Sequence, residues 1–216
     1  MIHLVLLAAG SSVRYGKRKQ FVKIGNKRIW QWSLEKFIGF VDDAVIVVPK
    51  EETGQIDITD YQIPIKIKSG GKTRLQSSYL GTKELSGGIV LIHDAARPLV
   101  SSELINGIIK KAKAFGAAVP AIPILDTIKL TDGEKVVGTL CRDRYKAIQT
   151  PQGFETELIK NALENAMIQE LEITDDASAV EATGKTVYIT EGQRTNIKLT
   201  YKEDLKFIQQ MLLESE

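Results

Sequence analysis

Apolar runs and helix-period stretches alternate along this chain. Ile2–Leu7, Ala44–Val48, Ile65–Lys68, Ile89–His93 and Ala117–Ile122 are short and rich in aliphatic residues, as strands buried on both faces are. Between and after them, Ile29–Phe40, Lys72–Glu84, Ser101–Phe115, Glu155–Ala166, Asp175–Thr183 and Lys202–Leu213 place their apolar residues at helical spacing. Ser101, with Leu104 and Ile105 turned inward, reads as an N-cap. Strands joined by helical crossovers predict a three-layer, doubly wound, mostly parallel α/β sheet. Leu125–Ile148 breaks the pattern: polar residues are scattered, and short β-like pieces flank the turn Thr131-Asp132-Gly133-Glu134. It reads as a β-hairpin arm leaving the main sheet. A lone hairpin cannot bury both of its faces, so the arm is expected to pack on a second copy of the chain. With no repeat, linker or low-complexity tract, residues 1–216 read as one domain carrying this excursion.

Composition narrows the classes. The chain of 216 residues is 43% hydrophobic and 26% charged, as expected for a soluble globular protein. Its net charge of +2 creates no global field toward DNA or an anionic membrane, so anions must be held by local clusters. The single cysteine, Cys141, allows no internal disulfide. Met1-Ile2-His3 leads straight into the first strand, leaving no room for a targeting segment, and no apolar run is long enough to span a bilayer. A reducing cytoplasm is the expected location.

The chemistry gathers at strand ends. Ala8-Ala9-Gly10-Ser11-Ser12 follows the first strand, and Arg14, Lys17, Arg18 and Lys19 come next. Small side chains let backbone approach a ligand, and N–H groups in such a loop hold phosphate oxygens. This loop lacks both the Gly-Lys-Ser/Thr ending of a P-loop and the G-x-G-x-x-G dinucleotide pattern. Gly70-Gly71-Lys72-Thr73-Arg74 follows the third strand, where backbone C=O and N–H groups can read a pyrimidine edge; Ser77 lies one helical turn beyond Thr73 on the same side. His93-Asp94-Ala95-Ala96-Arg97-Pro98 ends the fourth strand. Asp94 there suits a metal or a ribose. His93 reads as a core histidine with a satisfied ring, and Arg97 as a partner of Asp94 or of a closely approaching ligand. These three loops should meet on one edge, at the carboxyl ends of the strands. Two histidines and one cysteine argue against a zinc site, and a Ser-His-Asp hydrolase would lack its G-x-S-x-G elbow. Asp175 in Thr174-Asp175-Asp176 reads as an N-cap, and Asn196, Lys198 and Thr200 fall on one face of an extended segment.

These pieces, in this order, resemble the 2-C-methyl-D-erythritol 4-phosphate cytidylyltransferase family of the non-mevalonate isoprenoid pathway. The resemblance rests on Leu7-Ala8-Ala9-Gly10 with Arg14 and Lys19-Gln20, Gly70-Gly71 with Arg74 and Ser77, and His93-Asp94-Ala95-Ala96-Arg97-Pro98. It continues through Asp126-Thr127-Ile128-Lys129, Arg142, Gln149-Thr150-Pro151-Gln152, Thr174-Asp175-Asp176-Ala177-Ser178 and Thr195-Asn196-Ile197-Lys198-Leu199-Thr200. It implies CMP transfer from CTP to the polyol phosphate, a Rossmann-like nucleotidyltransferase fold, a Mg²⁺ or other divalent cation as cofactor, and a homodimer joined by the arm. It also implies roles. Ala8, Ala9 and Gly10 would line the CTP, and Arg14, Lys19 and Lys198 would hold phosphates and stabilise charge. Gly71, Lys72 and Ser77 would read cytosine, and Asp94 would sit near ribose and metal. Thr127 and Arg142 of the partner's arm, with Thr150 and Thr174, would grip the acceptor.

Three departures stand out: Ser12 where the family usually has glycine, a shortened Arg14–Lys19 segment with Arg18 in the place of proline, and Lys72 in the place of an acidic residue. Three rival readings follow. One is a ribitol 5-phosphate cytidylyltransferase, disfavoured by Ala96 and the Thr-Asp-Asp-Ala-Ser run. Another is a nucleotide-binding module that has lost catalysis, which the altered Arg14–Lys19 loop would explain. The third, a nucleic-acid-binding protein, lacks both a broad basic face and an aromatic stacking pattern.

Overall fold

The computed structural model describes residues 1–10, 15–16, 18–59 and 61–214. Its strands are β1 (Ile2–Leu7), β2 (Lys23–Ile24), β3 (Lys27–Arg28), β4 (Asp43–Val48), β5 (Ile65–Ser69) and β6 (Ile89–Asp94), followed by β7 (Ala117–Pro123), β8 (Ile128–Asp132), β9 (Lys135–Leu140), β10 (Lys146–Ile148), β11 (Gln152–Glu155) and β12 (Tyr188–Glu191). Its helices are α1 (Ile29–Glu35), α2 (Arg74–Thr82), α3 (Ser102–Phe115), α4 (Thr156–Ile168), α5 (Asp176–Ala182) and α6 (Lys202–Leu213).

The main sheet runs β10-β7-β11-β6-β1-β4-β5, and β12 also pairs with β7. Pairs β6-β1, β1-β4, β4-β5 and β7-β12 are parallel; β11 is antiparallel to both β6 and β7. The alternation of Leu4 and Leu6 with Val5 sends side chains to opposite faces. On one face Leu4, Leu6, Ile46 and Leu91 pack with Leu34 and Phe37 and with Leu104, Ile105 and Ile108 of α3. On the other, Val5, Val47, Val90 and Ile92 pack with Ile159 and Leu163 of α4 and Val180 of α5. Each such fully buried aliphatic side chain contributes about 1.5–3 kcal/mol. A third cluster seats Ile208 and Leu212 of α6 on Ile29 and Trp32 of α1.

The expected three-layer α/β architecture is present, with four differences in detail. The α1 helix stops at Glu35 rather than Phe40, and the chain continues in i→i−3 turns (Phe37 N to Leu34 O, Ile38 N to Glu35 O, Phe40 N to Phe37 O). The last piece of the expected arm, β10, rejoins the sheet on β7, so the free hairpin is β8–β9 alone. The β11 strand, which no strand pattern in the sequence marks and whose Glu155 reads there as the start of a helix, lies inside the sheet. Its Gly153 is needed there, because a Cβ would stand 2.5 Å from Ile108 Cγ2. The β12 strand falls in a stretch with no strand pattern. The caps hold as read: Ser101 Oγ accepts from Leu104 N at 3.2 Å and Asp175 Oδ1 from Ser178 N at 3.0 Å, each worth about 1 kcal/mol. No described helix is long and apolar enough to cross a membrane.

Candidate active site

The carboxyl ends of β1, β5 and β6 deliver three loops to one place. They line a cavity of about 580 Å³ walled by Ala9, Gly10, Lys19, Gly71, Arg74 and Asp94 among others. A second cavity of about 430 Å³ opens beside it, lined by Gln149, Thr150, Gln152, Thr174 and Asp175. Arg74, Asp94 and Lys198 line both, so they form the seam between them.

The first cavity is built by close contacts between loops. Gln20, 2% exposed, donates from Nε2 to Ala8 O at 2.6 Å and to Gly10 O at 3.0 Å. Its amide therefore ties the 3-10 turn Lys19–Phe21, and with it Lys19, to the small-residue loop. Gly70 brings the β5 loop against that same loop: a Cβ on it would collide with Ala9 Cβ. Gly71 N donates to Ser77 Oγ at 3.2 Å, Ser77 Oγ to Thr73 O at 3.0 Å, and Lys72 N to Gln76 Oε1 at 2.7 Å. The two N–H groups expected to read a base are thus bonded within the turn.

Asp94 sits at the seam, 9% exposed. Lys198 Nζ lies 2.7 Å from its Oδ2, Arg97 Nε 3.8 Å from Oδ2, and Arg74 Nη2 3.8 Å from Oδ1. Burial works against its charge, but Lys198, Arg74 and Arg97 outweigh burial and hold the carboxyl well below the usual range. Burial likewise opposes the Arg74 charge, and Asp176 and Asp94 outweigh it and raise the guanidinium. For Arg97, burial is the larger effect and lowers it.

A buried network fixes the loop that carries Asp94. Burial pushes the His93 imidazole down to about 4, so it is neutral at pH 7. With Arg97 O 3.0 Å from Nε2, that nitrogen must be the donor. Nδ1, 3.1 Å from Thr150 Oγ1, then accepts from the hydroxyl. Thr150 Oγ1 in turn accepts from Asp94 N at 3.0 Å. The core role expected for His93 holds. The Thr150–Pro151 peptide is cis. Asn196 Nδ2 donates to Thr150 O at 2.9 Å, and Arg97 Nη1 donates to Asn196 O at 2.6 Å.

The candidate residues divide accordingly. Ala9, Gly10, Lys19, Gly71, Lys72, Ser77, Asp94 and Lys198 converge on the first cavity. Ala8 is 1% exposed and does not line it; its carbonyl faces Gln20. Arg14 lies outside the described residues. Thr150 and Thr174 line the second cavity, but the Thr150 hydroxyl is committed to Asp94 N and His93. Thr127 and Arg142 are exposed on the arm and line neither cavity of their own chain; Arg142 Nη1 donates to Leu125 O at 2.5 Å. Residues 196–200 form no strand, and Asn196 points inward, fully buried, rather than sharing a face with Lys198. Sequence reasoning missed Gln20, Gln152 and Asp176 as organisers. For Gln20 the only signal was its place beside Lys19.

A parallel sheet that gathers a small-residue loop, a glycine turn and a cation-ringed aspartate at its strand ends, with a second cavity alongside, defines a nucleotidyltransferase. The comparisons agree. The sequence profile of 2-C-methyl-D-erythritol 4-phosphate cytidylyltransferase matches residues 2–214. The chain belongs to that family. It is 40% identical to the enzyme of that name from Halalkalibacterium halodurans, covering 99% of this chain and 97% of that one. It is 41% identical to that from Geobacillus thermodenitrificans, covering 96% and 95%. Among solved structures, the cytidylyltransferase of Thermus thermophilus superposes with a TM-score of 0.83 at 31% identity, covering 96% of this chain and 97% of that one. The 4-diphosphocytidyl-2C-methyl-D-erythritol synthase of Anaerococcus prevotii superposes with a TM-score of 0.86 at 29% identity, covering 99% and 98%.

Proposed function

We propose that the chain, acting as one domain over residues 1–216, transfers CMP from CTP to 2-C-methyl-D-erythritol 4-phosphate. The products are 4-diphosphocytidyl-2-C-methyl-D-erythritol and pyrophosphate. One observation carries the reading: two cavities share a seam of Arg74, Asp94 and Lys198 in a chain whose family match is nearly complete. CTP occupies the first cavity and the acceptor the second. An oxygen of the acceptor phosphate forms the new bond to the α-phosphorus. The bond from that phosphorus to the bridging oxygen breaks, and its electron pair leaves with pyrophosphate. The nucleophile is already an anion, so no covalent enzyme intermediate is required. The difficulty is bringing two polyanions together, and catalysis is positioning plus charge stabilisation.

Lys19 and Arg14 hold the triphosphate, and Lys198 stabilises charge growing on the α-phosphoryl oxygens. Ala9 and Gly10 line the nucleotide, with Ala8 buried behind them and its carbonyl bonded to Gln20; Gly71, Lys72 and Ser77 face the base. Asp94 is the residue that would hold a magnesium ion. Among the described residues no cluster of three or more His, Cys, Asp or Glu could hold a metal. A single carboxylate suits magnesium, which takes most of its ligands from phosphate oxygens and water. When bound, that ion neutralises charge along the triphosphate.

The arm supports a homodimer. Leu130, Val136 and Val137 are more than half exposed on β8–β9, a surface a second subunit would cover. Thr127 and Arg142 then reach the neighbour's acceptor cavity, where Thr150 and Thr174 complete the wall. Hybrid dimers of Arg142→Ala with Lys19→Ala regain activity on this reading, because one site keeps both residues. No recovery after confirmed subunit exchange places the whole site within one chain. The exposed lone Cys141 fits a cytoplasmic enzyme.

The test of function is pyrophosphate release with CTP, Mg²⁺ and 2-C-methyl-D-erythritol 4-phosphate, with ribitol 5-phosphate in parallel. Release with the first acceptor alone is expected. Release with ribitol 5-phosphate alone moves the substrate assignment, and CTP binding without release under either condition refutes catalysis.

A further inference from the structure

Of the three residues at the seam between the cavities, Asp94 and Lys198 have work in the reaction and Arg74 has none so far. It opens α2, and its side chain is 27% exposed between the two cavities. Its one contact of hydrogen-bond length among the described residues is Nη2 to Asp176 Oδ2, at 2.7 Å; Asp94 Oδ1 stands off at 3.8 Å. A guanidinium has five N–H donors. Most of those on Arg74 therefore have no acceptor among the described residues, although the side chain is only 27% exposed. Orphaned donors on a half-buried cation call for an anion, and phosphate matches the guanidinium fork.

The far end of the pair is built for rigidity. Asp176, 1% exposed, begins α5. The start of that helix is pinned to β11: Gln152 Nε2 donates to Asp175 Oδ2 at 2.7 Å, and Ala177 N donates to Gln152 Oε1 at 3.0 Å. Asp175 also caps the helix through Ser178. These bonds fix the backbone that carries Asp176, while its buried carboxylate accepts no hydrogen bond and has the Arg74 ion pair as its counterpart among the described residues. Arg97, the other arginine lining the acceptor cavity, gives Nη1 to Asn196 O and keeps a buried Nε without a hydrogen-bond partner among the described residues, but it does not line the nucleotide cavity and so does not sit at the seam.

We propose that Arg74 is a catalytic residue that contacts the phosphoryl group being transferred, at the point where the two cavities meet, and that Asp176 is its positioning residue. Resting on the cytidylyltransferase reading above, this assignment adds the contact that spans both substrates. Arg74 serves neither the base nor the sugar. It bridges an oxygen of the α-phosphate and one of the incoming phosphate, bringing the two anions within bonding distance.

The rival role for the pair is a structural strut between α2 and α5. A double replacement separates the two. Arg74→Met with Asp176→Leu removes both charges and leaves no orphaned carboxylate, a change that buried pairs often tolerate. A strut so replaced keeps stability and turnover together. The proposal expects a melting temperature near that of wild type with kcat lowered about 100-fold or more. A folded double variant with near-wild-type kcat overturns it. Should the double variant fail to fold, Arg74→Lys keeps charge and ion pair while losing the planar fork. It is expected to fold and to lose at least about tenfold in kcat, and unchanged turnover in that variant overturns the proposal equally. Asp176→Asn leaves the guanidinium present but loosely held. The expected signature is kcat lower by about tenfold or more with both KM values nearly unchanged; an unchanged kcat removes the positioning role. Wild type is assayed beside them with both acceptors. A silent wild type refutes the cytidylyltransferase reading and this proposal with it, whereas an active wild type beside an active double variant refutes the proposal alone.

Discussion

Replacing Thr150 by valine deletes one oxygen and keeps the β-branched shape. In the structure that oxygen accepts from Asp94 N and donates to His93 Nδ1, at 3.0 and 3.1 Å. Thr150 is 5% exposed and His93 fully buried, so water cannot replace either bond. Each buried polar group left without a partner costs about 1–3 kcal/mol. Two such groups give a central figure of about 4 kcal/mol. For a chain of this length that lowers the melting temperature by about 8–16 °C. Thr150→Ser keeps both bonds and loses only a methyl group, which costs about 1 kcal/mol. Scanning calorimetry of the three proteins at about pH 7.5, well above the His93 transition, is the assay. Turnover of the valine variant, measured well below its transition, should also fall, because the Asp94 loop has lost its tether. If Thr150→Val melts within about 3 °C of wild type, or if the serine variant is as unstable as the valine variant, the network does not hold the loop and the reasoning fails.

Three further expectations follow from the same geometry. Lys198→Ala and Lys19→Ala should fold normally and lose about 10²–10³ in kcat, the cost of removing one preorganised donor; wild-type-like pyrophosphate release in either refutes its role. Because burial pushes His93 from 6.5 down to about 4 in the folded chain, its contribution to stability is complete above pH 6.5 and is lost as pH falls toward 4. The loss is about 1.4 kcal/mol per pH unit, or about 2.5 kcal/mol between pH 6.5 and 4.5. Denaturant titrations across that window should show a slope that His93→Gln reduces by this amount; an equal slope in wild type and variant contradicts the assignment. Gly70→Ala drives a Cβ into Ala9 Cβ. It should cost about 1–3 kcal/mol and weaken CTP binding by calorimetry, since the displaced loop lines the nucleotide cavity; unchanged affinity argues against that placement.

Much of the frame was legible in the order of residues. The strands β1, β4, β6 and β7 stand out because a strand covered on both faces is apolar along its length, and the edge strand β5 because Ile65 and Ile67 alternate with Lys66 and Lys68. The helices α3, α5 and α6 stand out because a helix covered on one face repeats its apolar residues at a period of about 3.6, and Ser101 and Asp175 mark starts because a cap bond is made within three residues. The strand-end loops and their convergence followed from the handedness of parallel crossovers. What the tertiary structure decided are the contacts between segments distant in sequence. The β11 strand is Gln152-Gly153-Phe154-Glu155, with no β-branched residue to announce it; it is a strand because β6 and β7 flank it and its glycine fits against Ile108. The Thr150 hydroxyl lies between Asp94 N and His93, 56 and 57 residues away, a structural duty that no local pattern announces. Gln20 and Asp176 carried no pattern of their own. Each acts by meeting a backbone or a guanidinium that packing of the sheet and helices brings within 3 Å. Local periodicity reports which face of an element is buried, and only the packed fold determines which polar groups meet there.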